Sequence, residues 1–506
     1  MKRTTSLLPW LACALSLTAA SPRARADPFH AQTLPLGQRA VGMGGAYTAI
    51  ADDPSATFYN PAGIIMSSDS ALSASLTLVA FDRAIVEGGY RTANGRSSLN
   101  HRTGTSLPVF VSAVKQLGRR DALGRRRHAF ALSTFTRSQR RLSFDVQMRQ
   151  PTPTGSTLAT LSVDDSHRTV WHGLSYAYRP LAHLAIGISG FLSVTRTSYS
   201  EERIAAELGA VDFSDGTLRT DRSAWISHLA DTNVKNMLLR IGLLYRASER
   251  LRIGIMVQPP SLHVRGRGKV RERVLRTDLT TDPASSSLRN VSEGDLVARA
   301  PQPWELRVGG SYLLRHWLTL SADLSFYGPS GSQRRPIVAI GPRREDPETG
   351  AVPEAGAFVS ETWRRTANGN VALGLEAILK DTIAIRTGLY TDFSSAPKVP
   401  ARSTEYQPPK VHRLGGTLSL GLVSDGYDIS LGMIGLVGRG RALSFDAQTT
   451  NVDDRYRQTV AKDRVFLFFL TGVKSAVRAL TRKAEETLRE LRTPDPEPTT
   501  PKPEPR

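Results

Sequence analysis

The residue types that carry chemistry do not assemble into a catalytic pattern in this chain. Its ten histidines are scattered, and no two stand at a spacing suited to one metal ion. Gly187-Ile188-Ser189-Gly190 and Gly328-Pro329-Ser330-Gly331 place a serine among glycines, but neither completes a Gly-x-Ser-x-Gly nucleophile elbow. Val41-Gly42-Met43-Gly44-Gly45 has the glycine density of a dinucleotide loop without the surrounding strand–turn–helix unit. Arg265-Gly266-Arg267-Gly268-Lys269-Val270 is a basic segment in a strand-like stretch, not a phosphate loop. Asp52-Asp53 could hold a cation or open a turn before Pro54, and the turn is the commoner use of such a pair. The one cysteine, Cys13, lies in the N-terminal apolar segment, so no disulfide or thiol chemistry is expected beyond it. No enzymatic activity, cofactor or metal is expected.

Composition directs attention to partners instead. The chain has 506 residues, 40% hydrophobic, 41 glycines and a formal charge of +20. No run of 18 apolar residues occurs, which excludes a bundle of membrane helices. Lys2 and Arg3, the apolar segment Leu7–Ala20 and the small residues of Ala24-Arg25-Ala26 form a secretory signal, with cleavage expected before Asp27. Losing Lys2, Arg3, Arg23 and Arg25 with it lowers the charge to +16. Export argues against nucleic acid as the partner of so basic a chain, and anionic membrane lipids or lipopolysaccharide fit better. Arginines that merely solvate loops would give the same charge.

Beyond Ile64 the apolar pattern has period two. In 318–326, Leu318, Leu320, Ala322, Leu324 and Phe326 alternate with Thr319, Ser321, Asp323 and Ser325. Such alternation predicts strands with one apolar and one polar face. Fourteen are expected, at 71–85, 104–117, 127–148, 156–179, 183–203, 233–248, 251–275, 301–314, 317–329, 363–379, 383–395, 411–426, 428–443 and 463–474. Short links such as Arg179–His183, Arg315–Trp317 and Leu379–Thr382 alternate with longer polar ones such as Arg276–Ala300 and Gly328–Thr362. Short turns at one end and long loops at the other describe an outer-membrane barrel. Backbone groups cannot go unpaired in hydrocarbon, so strands cross a membrane only as a closed cylinder. A soluble β-sandwich would also alternate, but would not explain the two kinds of link. Glu305, Arg307, Asp323, Glu376 and Arg386 fall on the polar face and are expected to line a wet lumen.

The expected architecture is therefore all-β: a transmembrane antiparallel barrel of about 14 strands over 70–474. Residues 27–69 precede it. After it, Val477, Leu480, Ala484, Leu488 and Leu491 line one face of a short helix, followed by a proline-rich extension, so 475–506 reads as a periplasmic tail. A barrel this wide leaves a lumen that something must close. The segment before the first strand is placed to do so. Gly42, Gly44, Gly45, Ala46, Ala49 and Ala51 permit close backbone approach, and Asn60-Pro61 forces a turn.

At these residues a resemblance appears. Gly37–Ile64 resembles the N-terminal signature of the FadL-like outer-membrane transporters of long-chain fatty acids and toluene. The resemblance implies a hatch, or plug, inside a fourteen-stranded barrel, with Asn60, Pro61, Ala62 and Gly63 in its turn and Gly42 and Gly45 in its packing. It implies passive uptake of hydrophobic molecules such as fatty acids, past the hatch and sideways through the wall into the membrane of a Gram-negative cell. Arg307, Arg386 and Arg265 are candidates to meet a carboxylate headgroup. Barrels of this kind commonly end on an aromatic strand read by the barrel-assembly machinery. Here Phe466, Phe468 and Phe469 lie in the last strand with a tail after them. Similar signatures also occur in barrels that act as partners in secretion, so a non-transporting envelope or secretion docking partner is the alternative.

Overall fold

A computed structural model describes residues 29–475, apart from 69, 93–94, 121–125, 153–154, 213–216, 279–284, 331–364, 404–406, 408, 425 and 447–455. The signal segment and the expected C-terminal helix, past Ser475, lie outside the described residues.

Seventeen strand segments form one almost wholly antiparallel sheet. β1 (Ser70–Thr92), β2 (Gly95–Arg120), β3 (Arg126–Thr152), β4 (Gly155–Leu181), β5 (Leu184–Asp212) and β6 (Thr217–Arg246) each pair with the next. β7 (Leu251–Gln258) and β8 (Leu262–Asp278) both pair with β6 and make one stave broken at Pro259-Pro260, where no N–H can join the ladder. β9 (Ser285–Val297) lies on β8, and β10 (Glu305–Arg315) on β7, so these two form the next broken stave. The ring continues through β11 (Leu318–Tyr327), β12 (Asn368–Leu379), β13 (Ile383–Asp392), β15 (Lys410–Ser424), β16 (Tyr427–Asp446) and β17 (Tyr456–Ser475). β17 pairs with β1 and closes the cylinder. β14 (Arg402–Ser403) is a two-residue addition to the far end of β17. Among the described residues the wall therefore has fourteen staves.

Alternation along the staves follows the pleat. On β13, Ile383, Ile385 and Leu389 face outward while Ala384, Arg386, Gly388 and Tyr390 are buried inside. On β6, exposed Met237, Leu239, Ile241, Leu243 and Tyr245 alternate with buried Leu238, Arg240 and Leu244. That outer run rises about 20 Å at a ~40° tilt, comparable with the ~25 Å apolar band of a membrane barrel.

The staves are longer than the hydropathy pattern predicts. β6 begins at Thr217 instead of 233, and β17 at Tyr456 instead of 463. The expected loop Arg276–Ala300 is largely the hairpin of β8 and β9. Above the apolar band both faces meet water, so the alternation fades while the backbone ladder persists. The turns at the hatch end are tight: Lys380 and Asp381 take left-handed backbone (φ 50 and 53) between β12 and β13.

Residues 29–67 fill the ring. They contain α1 (Gln38–Gly42), α2 (Ala56–Tyr59) and a 3-10 turn at Pro61–Met66. Met43, Tyr47, Phe58, Tyr59, Ile64 and Ile65 form one core with the wall residues Phe110, Phe135, Trp171, Phe191 and Leu238. Each large apolar side chain buried there contributes about 1.5–3 kcal/mol.

Candidate functional site

The N-terminal segment is held by polar bonds spread around the wall. Asp392 on β13 accepts from Ala31 N (3.1 Å), Gln32 N (2.9 Å) and Thr33 Oγ1 (2.5 Å). Asp323 on β11 accepts from Tyr47 N, Thr48 N and Thr48 Oγ1 at 2.9, 2.9 and 2.6 Å. Arg39 joins Glu376 on β12 to Asp52 of its own segment. Thr417 on β15 donates to Gly42 O at 2.7 Å, and Ser189 on β5 to Thr57 O at 3.1 Å. Three inward carboxylates, Asp323, Glu376 and Asp392, thus take up donors of the segment instead of standing in open water. Asp392 is the one of these that the sequence reading did not single out.

The motif residues occupy the tightest contacts. Asn60 caps the 3-10 turn, its Oδ1 accepting from Ala62 N at 3.2 Å. Its Nδ2 donates to Thr48 O (3.0 Å) inside the segment and to Leu243 O (2.9 Å) on β6. A Cβ on Gly63 would fall 2.0 Å from Ala51 O, and one on Gly42 would fall 2.3 Å from Ser419 Oγ. Gly45 holds φ +83, a conformation other residues rarely adopt. Asp53 forms the turn at Pro54, accepting from Ser55 N at 2.7 Å, and burial pushes its carboxyl pKa up. Burial likewise raises the Tyr47 hydroxyl.

The wall answers with glycines that sequence reasoning missed. Gly187 pairs with Gly242, Gly254 with Gly309, and Gly374 with Gly388 across neighbouring strands. A Cβ on Gly187 would strike Ala62 N at 2.4 Å, on Gly242 Asn60 Oδ1 at 2.1 Å, on Gly254 Thr48 O at 2.2 Å and on Gly388 Gly44 N at 2.3 Å. These pairs form a stripe of bare backbone on which the segment lies. The available signal was the recurrence of glycine at inward positions, in Ile186-Gly187, Ile241-Gly242, Ile253-Gly254 and Val308-Gly309.

Phe58 marks a distinct chemical patch. Arg240, Arg137 and Arg307 lie 4.2, 5.1 and 5.1 Å from its ring centre, and Trp171 and Phe135 pack at 6.1 and 5.5 Å. Glu305 pairs with Arg240 at 2.7 Å and also with Arg307, while Arg240 donates to Phe58 O. Three guanidinium groups therefore gather against the single carboxylate that pairs with two of them. Arg307 sits in this patch. Arg386 sits apart, fully buried and paired with Glu376 (2.7 Å) and Asp428 (2.8 Å). Arg265 lies elsewhere: it is exposed and shares the outer face with Lys235.

Beside Phe58 the wall ladder is incomplete. β2 and β3 pair from Arg120↔Arg126 up to Phe110↔Phe135 and no further among the described residues, although both strands continue. Two sequence features end the ladder there. Pro108 has no N–H to give, and β3 bulges between Thr136 and Ser138. Higher in the cylinder, Val86, Leu99, Leu161, Val163 and Phe445 line a small apolar cavity of about 60 Å³, with Arg203 4.6 Å above the Phe445 ring and paired with Glu201. No group of three or more His, Cys, Asp or Glu that could hold a metal occurs among the described residues.

No protein-family model matches the chain, and no curated protein matches it by sequence. Solved structures do. A Pseudomonas aeruginosa FadL homologue aligns with a TM-score of 0.54 over 90% of this chain and 100% of its own, at 13% identity. The Pseudomonas putida toluene transporter TodX aligns with a TM-score of 0.51 over 87% of this chain and 98% of its own, at 15% identity. In its fold the chain is thus a FadL-like barrel, closed, antiparallel and occupied by its own N-terminal segment.

Proposed function

We propose that this chain is an outer-membrane channel for passive uptake of hydrophobic molecules, with residues 27–69 as its hatch. The observation that carries this reading is the coincidence of Phe58 with the open seam. The aromatic floor formed by Phe58, Phe135 and Trp171 lies at the point where the β2–β3 ladder stops. This cluster is packed and buried, so a greasy molecule reaches it only when the hatch shifts; it then leaves through the seam between β2 and β3 and enters the bilayer. Toluene, the cargo in the name of one structural relative, needs only the apolar part of this route. For a long-chain fatty acid, Arg137, Arg240 and Arg307 supply cation in excess of Glu305 and draw the carboxylate. Asn60, Pro61, Ala62 and Gly63, with Gly42 and Gly45, seat the hatch. Arg386, neutralised by Glu376 and Asp428, has a structural task. The cavity of about 60 Å³ near Phe445 is a first resting place that must widen, since an apolar cavity that holds benzene is about 150 Å³.

The test joins the two sides of the seam. In a strain lacking its own hydrophobic-uptake channel, the double variant Val109→Cys/Thr136→Cys is compared with the parent for uptake of labelled toluene and oleate. Oxidation should lower uptake at least fivefold and reduction restore it. Unchanged uptake in the cross-linked protein would sink the lateral route. Equal uptake with and without the parent gene would sink the channel itself.

A further inference from the structure

On the outer wall above the apolar band, a belt of cations crosses four staves. Arg168 on β4 pairs with Arg196 on β5, Arg196 with Asn233 on β6, and Asn233 with Arg267 on β8. The next row of the same face joins Lys235 to Arg265, and the row beyond joins Asp231 to Lys269. Strict alternation assigns the face. Thr195, Thr232, Val234, Gly268 and Val270 between them are buried inward, while Arg196, Lys235, Arg265, Arg267 and Lys269 are exposed. Among the described residues, six cations share with the carboxylate of Asp231 a patch about 15 Å wide at ~4.8 Å per strand. Arg141 stands at its edge, already paired with Asp164.

Three features turn this charge into a site. The belt borders a groove of about 870 Å³ lined by Arg168, Arg196, Arg267 and Lys269. Within it, Arg168 Nε is buried without a hydrogen-bond partner. Directly below, the same face changes without a transition to Met237, Leu239, Ile241 and Leu243 on β6 and to Leu192 and Ile188 on β5. A ligand matched to this surface has phosphates at the level of Lys235 and acyl chains beneath them.

We propose that the belt of Arg168, Arg196, Lys235, Arg265, Arg267 and Lys269 docks the phosphate groups of an anionic glycolipid of the outer leaflet, its acyl chains lying on the apolar staves β5 and β6. Guanidinium groups spaced along a rigid sheet can take phosphate oxygens bidentately. The inference rests on the outer-membrane reading above, but not on any cargo.

The full chain, purified in detergent, is titrated with a bisphosphorylated lipid A and with the same lipid dephosphorylated, and bound lipid is read by native mass spectrometry. The parent should prefer the phosphorylated lipid at least tenfold, with the preference falling as salt rises. R168Q/R196Q/R267Q should lose the preference, and R168K/R196K/R267K should retain most of it. R246Q/R250Q/R252Q, at the opposite end of the barrel, should leave it intact. Loss of the preference in that control, its persistence in the glutamine triple variant, or equal binding of the two lipids overturns the proposal. Displacement of the lipid by millimolar inorganic phosphate also overturns it, in favour of a free-phosphate site. Oleate uptake is measured on the same variants. In the parent, measured alongside, uptake intact with no preference between the two lipids defeats this inference alone, whereas a clear preference with no uptake defeats only the channel reading.

Discussion

Asn60 makes three hydrogen bonds with one amide, to Ala62 N, Thr48 O and Leu243 O, and it is the residue through which the turn, the hatch and the wall share a contact. Asn60→Ala takes a donor from Thr48 O and Leu243 O and the side-chain acceptor from Ala62 N, at a cost of about 2 kcal/mol or more. The barrel should still fold, read as a heat-modifiable band. Permeability to a hydrophobic dye should rise, and protease should cut the hatch. A barrel that fails to fold would make Asn60 a folding turn and not a gate residue. Asp53 adds a pH dependence. Burial raises its folded-state pKa, so the folded hatch binds that proton more tightly than the unfolded chain does. The part of hatch docking that Asp53 contributes should therefore be largest at acid pH and fall as pH rises through the raised value. Asp53→Asn, a mimic of the protonated acid, should flatten that slope in hydrogen exchange between about pH 4 and 8. Asn60 was legible in the sequence because Asn-Pro after a glycine-rich run has a local meaning. Phe58 was not, because the three arginines around it come from positions 137, 240 and 307, which only the closed ring brings together.

At the scale of elements, the staves were legible where one face meets lipid and the other does not. β13, with its strict alternation, was expected at 383–395 and ends at Asp392. The end of β5 beyond residue 203 and the upper half of β6 were not legible, because water on both faces removes the contrast that marks a strand. The glycine pairs escaped for a related reason: in a period-two pattern glycine counts as neither apolar nor polar, although here it marks where backbone meets backbone. The β2–β3 seam carries this scale's prediction. Pro108→Val restores an N–H and a β-branched side chain, which should let the ladder extend above Phe110. Uptake should fall several-fold while thermal stability holds or rises. If uptake is unchanged, the ladder's end at Phe110 does not set the exit.

Among the described residues the molecule is a tall cylinder of fourteen staves with its plug low in the lumen, and its closure from β17 back to β1 was expected because backbone groups cannot go unpaired in hydrocarbon. Its height was not. On β6 the lipid-facing run stops at Met237, and the strand continues from there back to Thr217. Those twenty or so residues carry the wall about 50 Å above the apolar band at a ~40° tilt. Removing the outer part of the β5–β6 hairpin, residues 205–224, tests what that height does. Uptake should drop in cells with long surface polysaccharide and stay near normal in cells without it. Equal effects in both backgrounds would mean that the extra height only stiffens the barrel. On the channel reading proposed above, the gradient along β6 makes the protein a chimney: a mouth raised above the apolar band would let a sparingly soluble molecule reach the bilayer without first partitioning into the hydrated sugar layer.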